Sequence, residues 1–155
     1  MAAKTAKTPL VKQEEEDKPT SKVTATVAQL LIWGRVVLGG VSYIAPALLA
    51  KLFLIPGVTP TSLSTYPLQL FGVRELTLSG ILWTVRPPLN GAPMDARARR
   101  AVRNMFIANV VTDSLDALAT IGAYRMGIIS HTSALLMGSG AASFITVGLV
   151  GLATI

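Results

Sequence analysis

The sequence predicts an all-α integral membrane protein, a four-helix bundle with a short interfacial helix after its first span, closed around a buried polar cluster. Three observations predict it. The chain is 51% hydrophobic and only 14% charged, where soluble domains carry about 25% charge, and its mean hydropathy is +0.55. Most ionisable groups fall in the first 22 residues and between Arg86 and Arg103, which leaves long apolar runs. One of those runs carries a polar stripe: Asn109, Asp113, Asp116 and Thr120 recur at helical spacing over about three turns.

Composition also excludes several chemistries. Cysteine is absent, so there are no disulfides, thiolate metal sites or cysteine nucleophiles. The net charge of +6 does not point to nucleic acid. Its basic residues sit in two short segments beside apolar runs, without interleaved aromatics or a known binding motif. Positive residues placed this way record membrane topology or contact with an anionic lipid surface.

Residues 1–22 are polar, mixed in charge and free of aromatics, the composition of a disordered tail. No apolar stretch follows the start methionine closely, so a cleavable signal peptide is not expected. The tail lacks arginine and carries Glu14, Glu15, Glu16 and Asp17, which also argues against a mitochondrial presequence. The membrane domain is expected over 23–155. Its first span is Val23–Ala45, about 23 residues and long enough for a hydrocarbon core of about 30 Å. Pro46 should kink or end it. Pro46–Leu54 then reads as a short amphipathic helix along the interface with Lys51 in water. Ile55–Pro67 holds three prolines, a glycine and several hydroxyls and reads as a loop.

Leu68–Val85 is the second expected span, with Trp83 near its far interface. Arg86–Arg99 is a turn rich in proline and arginine. Arg100–Tyr124 is the third span, and Arg125–Ser130 a tight connection. His131 opens the fourth span, 131–154, which has no charged residue. The tail holds five lysines and the second loop Arg86, Arg97, Arg99, Arg100 and Arg103, while only Lys51 and Arg125 lie opposite. Both termini are therefore expected on the cytoplasmic side.

Charges inside apolar segments need partners. Arg35 in the first span and Asp113 in the third both fall about 15 Å from the non-cytoplasmic ends, while Arg74, Glu75 and Asp116 share a layer at about 10 Å. Two tiers follow: Arg35 with Asp113, and Arg74 and Glu75 with Asp116. Two positive charges face three negative ones, so one carboxylate should be protonated, bind a cation, or meet water and a ligand. The residues alone do not say which.

Asp113, Asp116 and Glu75 are the candidate acids and bases. Arg35, Arg74, Asn109, Tyr43 and His131 are the candidate substrate-binding groups, with Tyr66 a further candidate for the rim. His131 also reads plainly as an interfacial residue at a helix start. The cluster reads equally as a structural device, because buried arginine–carboxylate pairs fix helix register at little net gain in stability. Small residues would serve such packing: Ala134, Gly138 and Ala142 in span four, with Gly34, Gly72 and Gly80 elsewhere.

Asn109, Asp113 and Asp116 also resemble the magnesium–diphosphate motif of membrane prenyltransferases. Those enzymes bring a second aspartate-rich motif and about twice as many helices, both lacking here. Adjacent arginines would repel a metal held by Glu75, Asp113, Asp116 and His131, and no metal or cofactor is expected. No Ser–His–Asp set, Walker loop or dinucleotide fingerprint occurs.

The pair Gly34-Arg35 followed by a proline at the span's end, the hexapeptide Phe71-Gly72-Val73-Arg74-Glu75-Leu76, and the aspartates Asp113 and Asp116 resemble a domain-of-unknown-function family. Its members are small four-helix integral membrane proteins, DoxX-like in architecture. The resemblance covers about residues 24–155. It implies a four-helix membrane bundle with Arg35, Arg74, Glu75 and an aspartate of the third span in characteristic positions, and no established activity.

Three functions remain open. The first is binding or acid–base conversion of a hydrophobic small molecule, by an isomerase, cyclase or oxidation accessory in lipid or secondary metabolism. The second is a structural or assembly protein whose ion pairs lock helix packing. The third is a proton-coupled carrier, which would need oligomerisation to form a path. Expected partners are membrane lipids, a hydrophobic ligand, and further copies of the chain through small-residue faces.

Overall fold

The computed structural model describes residues 19–60 and 63–155. Among them it is all-α, with five helices: α1 (Lys22–Ile44), α2 (Pro46–Leu52), α3 (Thr65–Val85), α4 (Ala96–Arg125) and α5 (His131–Ala153). An isolated bridge pairs Pro19 with Pro93. The expected tail lies outside the described residues up to position 18. Its last part is tied down, since the Thr20 hydroxyl donates to the Ala92 carbonyl at 2.7 Å.

Local chemistry sets the boundaries. The Ser21 side chain caps α1 by accepting from the Val23 amide. Pro46 ends α1 and serves as the first residue of α2, where a missing N–H costs nothing. The short helix expected after the first span is thus present, two residues shorter than Pro46–Leu54. Leu54 and Gly57, both at positive φ, turn the chain after it. Next, α3 begins three residues before the predicted span, because Pro67 is tolerated in a first helical turn. It stops at Val85, where Arg86 is extended ahead of Pro87. The Asp95 side chain caps α4 by accepting from the Ala98 amide at 2.6 Å, which brings Arg97 and Arg99 inside the helix. At the far end of α4, Gly127 at φ +72° lets the Ile128 amide reach the Ala123 carbonyl at 2.9 Å. Ser130 then caps α5.

Three of the helices, α1, α4 and α5, are long and apolar enough to cross a membrane by length and composition. Of the four predicted spans, the second falls short of that measure. It forms α3, a 21-residue helix, but Gln69, Arg74 and Glu75 dilute its apolar character.

Helices α1 and α3 pack closely, as do α4 and α5, and α1 also touches α5; the contact between α3 and α4 is sparse. The first pair crosses backbone to backbone at Gly39 and Gly72. A Cβ on Gly72 would lie 2.7 Å from the Gly39 carbonyl oxygen. On the second pair, Gly148 and Gly151 receive Val110 and the Phe106 ring. The small-residue expectation is met at Gly34 and Gly72, while Gly80 and Gly138 would meet nothing within 4 Å. The closest approaches belong to glycines that the reading passed over: Gly39, Gly148 and Gly151.

The dry core occupies one end of the molecule. It is built from Ala28, Leu31 and Ile32 of α1, Leu82 of α3, and Val102 and Phe106 of α4. The start of α1 and the end of α5 meet there, where the Thr24 hydroxyl donates to the Thr154 carbonyl at 2.8 Å. At the other end, the Ser133 hydroxyl donates to the Leu54 carbonyl at 2.9 Å and holds α5 to the loop after α2.

Candidate functional site

Between those ends lies a layer of ion pairs. Arg35 of α1 is fully buried, and Glu75 of α3 and Asp113 of α4 are nearly so. The Arg35 guanidinium donates through Nη1 to Glu75 Oε2 and through Nη2 to both Asp113 oxygens, at 2.8 and 2.6 Å. Arg74 donates to Glu75 Oε1 from Nε at 3.1 Å and from Nη2 at 2.7 Å. Its Nη1 and Nη2 also hold the two Asp116 oxygens, each at 2.5 Å. The bidentate fork of arginine makes this doubling natural.

The two expected tiers therefore exist, but they are not separate. Glu75 accepts from Arg35 at Oε2 and from Arg74 at Oε1, and so joins them. A ring covers each guanidinium: Phe144 lies 4.9 Å from Arg35 and Phe71 lies 4.7 Å from Arg74. Formal charge in the cluster sums to one net negative.

A cavity of about 360 Å³ opens on this layer. Glu75, Asp113 and Asp116 form its polar wall, with Thr120 the other polar side chain lining it. The remaining surface is apolar, drawn from all five helices and the connections beside α2 and α5. Neither arginine lines the cavity; Arg35 is enclosed, while Arg74 is about a third exposed. From Asp113 to Ala123 the lining of α4 runs ten residues, about 15 Å.

Other candidates lie elsewhere. Asn109 is buried, yet its amide nitrogen donates back to the Met105 carbonyl of its own helix at 2.8 Å and it does not line the cavity. Tyr43 is half-exposed and lines a separate shallow groove with Val73, Leu76 and Thr77. It lies eight residues beyond Arg35, which turns it about 80° around the helix. His131 is exposed at the start of α5, edge to face with the Tyr124 ring at 5.7 Å. Tyr66 is also exposed and away from the cavity. Depth along the helices points to Tyr43, Tyr66 and His131 and does not fix the direction around a helix; Asn109 shares the helical face of Asp113 but lies one turn nearer the dry core, outside the cavity lining.

Sequence reasoning missed Phe71 and Phe144, the rings over the guanidiniums, and the floor supplied by Leu49 and Phe53. A signal for Phe144 existed: Met137, Gly140, Ala141 and Phe144 follow helical spacing on one face of α5. Nothing comparable marks Leu49 and Phe53, which reach the cavity only because the chain folds back after Pro46. Among the described residues, no group of three or more His, Asp or Glu side chains is placed to hold a metal ion. Chemically, the wall can accept hydrogen bonds from a bound molecule or exchange protons with it, in surroundings with few competing polar groups.

Comparison with protein-family models, with curated proteins and with solved structures finds no match to this chain.

Proposed function

We propose that the protein is a multi-pass membrane protein that binds a hydrophobic small molecule in this cavity and acts on it by acid–base chemistry, as an isomerase, cyclase or oxidation accessory would. The carrying observation is that three carboxylates open onto an otherwise apolar cavity, the combination expected of a small-molecule site. In this reading Glu75, Asp113 and Asp116 are the acid–base groups, and Arg35 and Arg74 position them. The proposal includes α3 as a fourth span. Its 21 residues extend about 31 Å, its charged pair is satisfied inward, and Leu70, Val73 and Ile81 are exposed on its outer face. It also includes both termini on the cytoplasmic side, from the distribution of lysine and arginine, and the kinship to DoxX-like membrane proteins.

Ligand binding is tested by comparing lipid-like molecules that copurify with the wild type and with Gly140→Phe, identified by mass spectrometry. A Cβ on Gly140 meets nothing within 4 Å and the residue lines the cavity, so the ring fills the space without displacing the helix. A defined compound carried by the wild type and lost from the variant is expected. Identical profiles would remove the proposal. The cysteine-free chain makes topology accessible too: Lys51→Cys and Arg125→Cys should label from the non-cytoplasmic side, and Arg97→Cys from the other.

One observation favours the structural alternative. The ion pairs join α3 and α4 where direct packing is sparse. Under that reading, Asp113→Asn and Glu75→Gln lower folding yield in detergent in step with the cellular phenotype. Under the proposed function the phenotype is lost while folding persists.

A further inference from the structure

The hydrogen-bond inventory of the cavity wall says which end of a ligand it would hold. A carboxylate offers about four acceptor positions, so Glu75, Asp113 and Asp116 together offer about twelve. The two arginines fill seven of them. Neither guanidinium lines the cavity, and the Thr120 hydroxyl is the lining's only other polar side-chain group. Acceptor positions are thus left without a protein partner on carboxylates that line an apolar space, and the cluster's formal charge is one negative more than its cations balance. In such surroundings a carboxylate, phosphate or ketone on a ligand would set acceptor against acceptor, while a donor carrying positive charge would satisfy both deficits.

We infer that the cavity takes a cationic amphiphile, a molecule whose ammonium or amine end is held by Asp116, Asp113 and Glu75 and whose hydrocarbon tail runs along Phe71, Phe144 and Ala123 towards α2. This rests on the ligand-binding reading above and narrows it to a substrate class. Asp116 is the first point of contact, since about a third of its side chain (31%) is accessible while Glu75 and Asp113 are almost enclosed. The tail region spans about 10–15 Å along α4, which suits a medium-length chain.

Decylamine, decanol and decanoate share one tail and differ in head group, so they isolate the charge. Each is added to the full-length protein in zwitterionic lipid nanodiscs, and occupancy is read by native mass spectrometry. Decylamine should bind at least about tenfold more tightly than decanol, and decanoate should not bind. Asp116→Asn, which keeps the side-chain shape and removes the excess charge, should bring decylamine down to the level of decanol. Gly140→Phe should abolish binding of both.

Decanol or decanoate binding as tightly as decylamine would overturn the inference while leaving a ligand site in place. So would a preference for the amine that survives Asp116→Asn. Should that variant fail to fold, the ranking of the three probes on the wild type decides the matter alone. If none of the probes binds, and Gly140→Phe carries the same copurifying lipids as the wild type, both this inference and the ligand-binding reading fall.

Discussion

The two ends of α5 teach opposite lessons with the same residue type. Gly151 sits in the dry end, where a Cβ would lie 2.7 Å from the Phe106 ring. Gly140, three turns earlier on the same face, lines the cavity and would meet nothing within 4 Å. One glycine exists because a ring needs its place; the other leaves room that the protein itself does not fill. Between them lies the ion-pair layer, where Arg35 touches both partners of the helix pairs. The dry end thus supplies stability by close packing. On the cavity side of the layer α1 and α3 stay closely packed at Gly39 and Gly72, whereas α3 and α4, with little direct contact, are joined by the ion pairs.

Substitutions sharpen this contrast. The largest effect belongs to Arg35→Met, which strips the partner from Asp113 and half the partnership from Glu75, both nearly buried. Unfolding in detergent should show a loss of about 3–5 kcal/mol, and adding Asp113→Leu should recover part of it. Gly151→Leu comes next: it drives a side chain into Phe106 and should destabilise by about 1–3 kcal/mol. Arg74→Met should cost less, because Glu75 keeps Arg35 as a partner and Asp116 is about a third exposed rather than enclosed. Gly140→Leu, the matched change at the cavity end, should stay within about 0.5 kcal/mol of the wild type in the same measurement. If Gly140→Leu and Gly151→Leu proved equally damaging, the contrast between a packed and an open end would be lost.

Much of the fold is legible in the chain because helix signals are local. Pro46, the Arg86-Pro87 step, Asp95, Gly127 and Ser130 mark boundaries through steric exclusion, capping and positive φ, and each acts within a few residues. The site was legible in part. Arg35, Arg74, Glu75, Asp113 and Asp116 stand out because charge inside an apolar run demands a partner, and all five come together. Asn109, Tyr43 and His131 do not join them. Counting residues gives height along a helix, whereas access to a cavity depends on azimuth and on what the neighbouring helix presents.

By itself the sequence determined most of the helices and the need to neutralise five charges inside apolar runs, all consequences of short-range geometry and desolvation. Only the tertiary structure decided that Glu75 is shared by two arginines, that the carboxylates and not the guanidiniums line the cavity, and that α2 and Phe144 complete that cavity. Those choices follow from where α1 crosses α3 at Gly39 and Gly72 and where α4 meets α5 at Phe106 and Gly151. Crossing points between helices far apart in the chain leave no periodic trace in either helix alone.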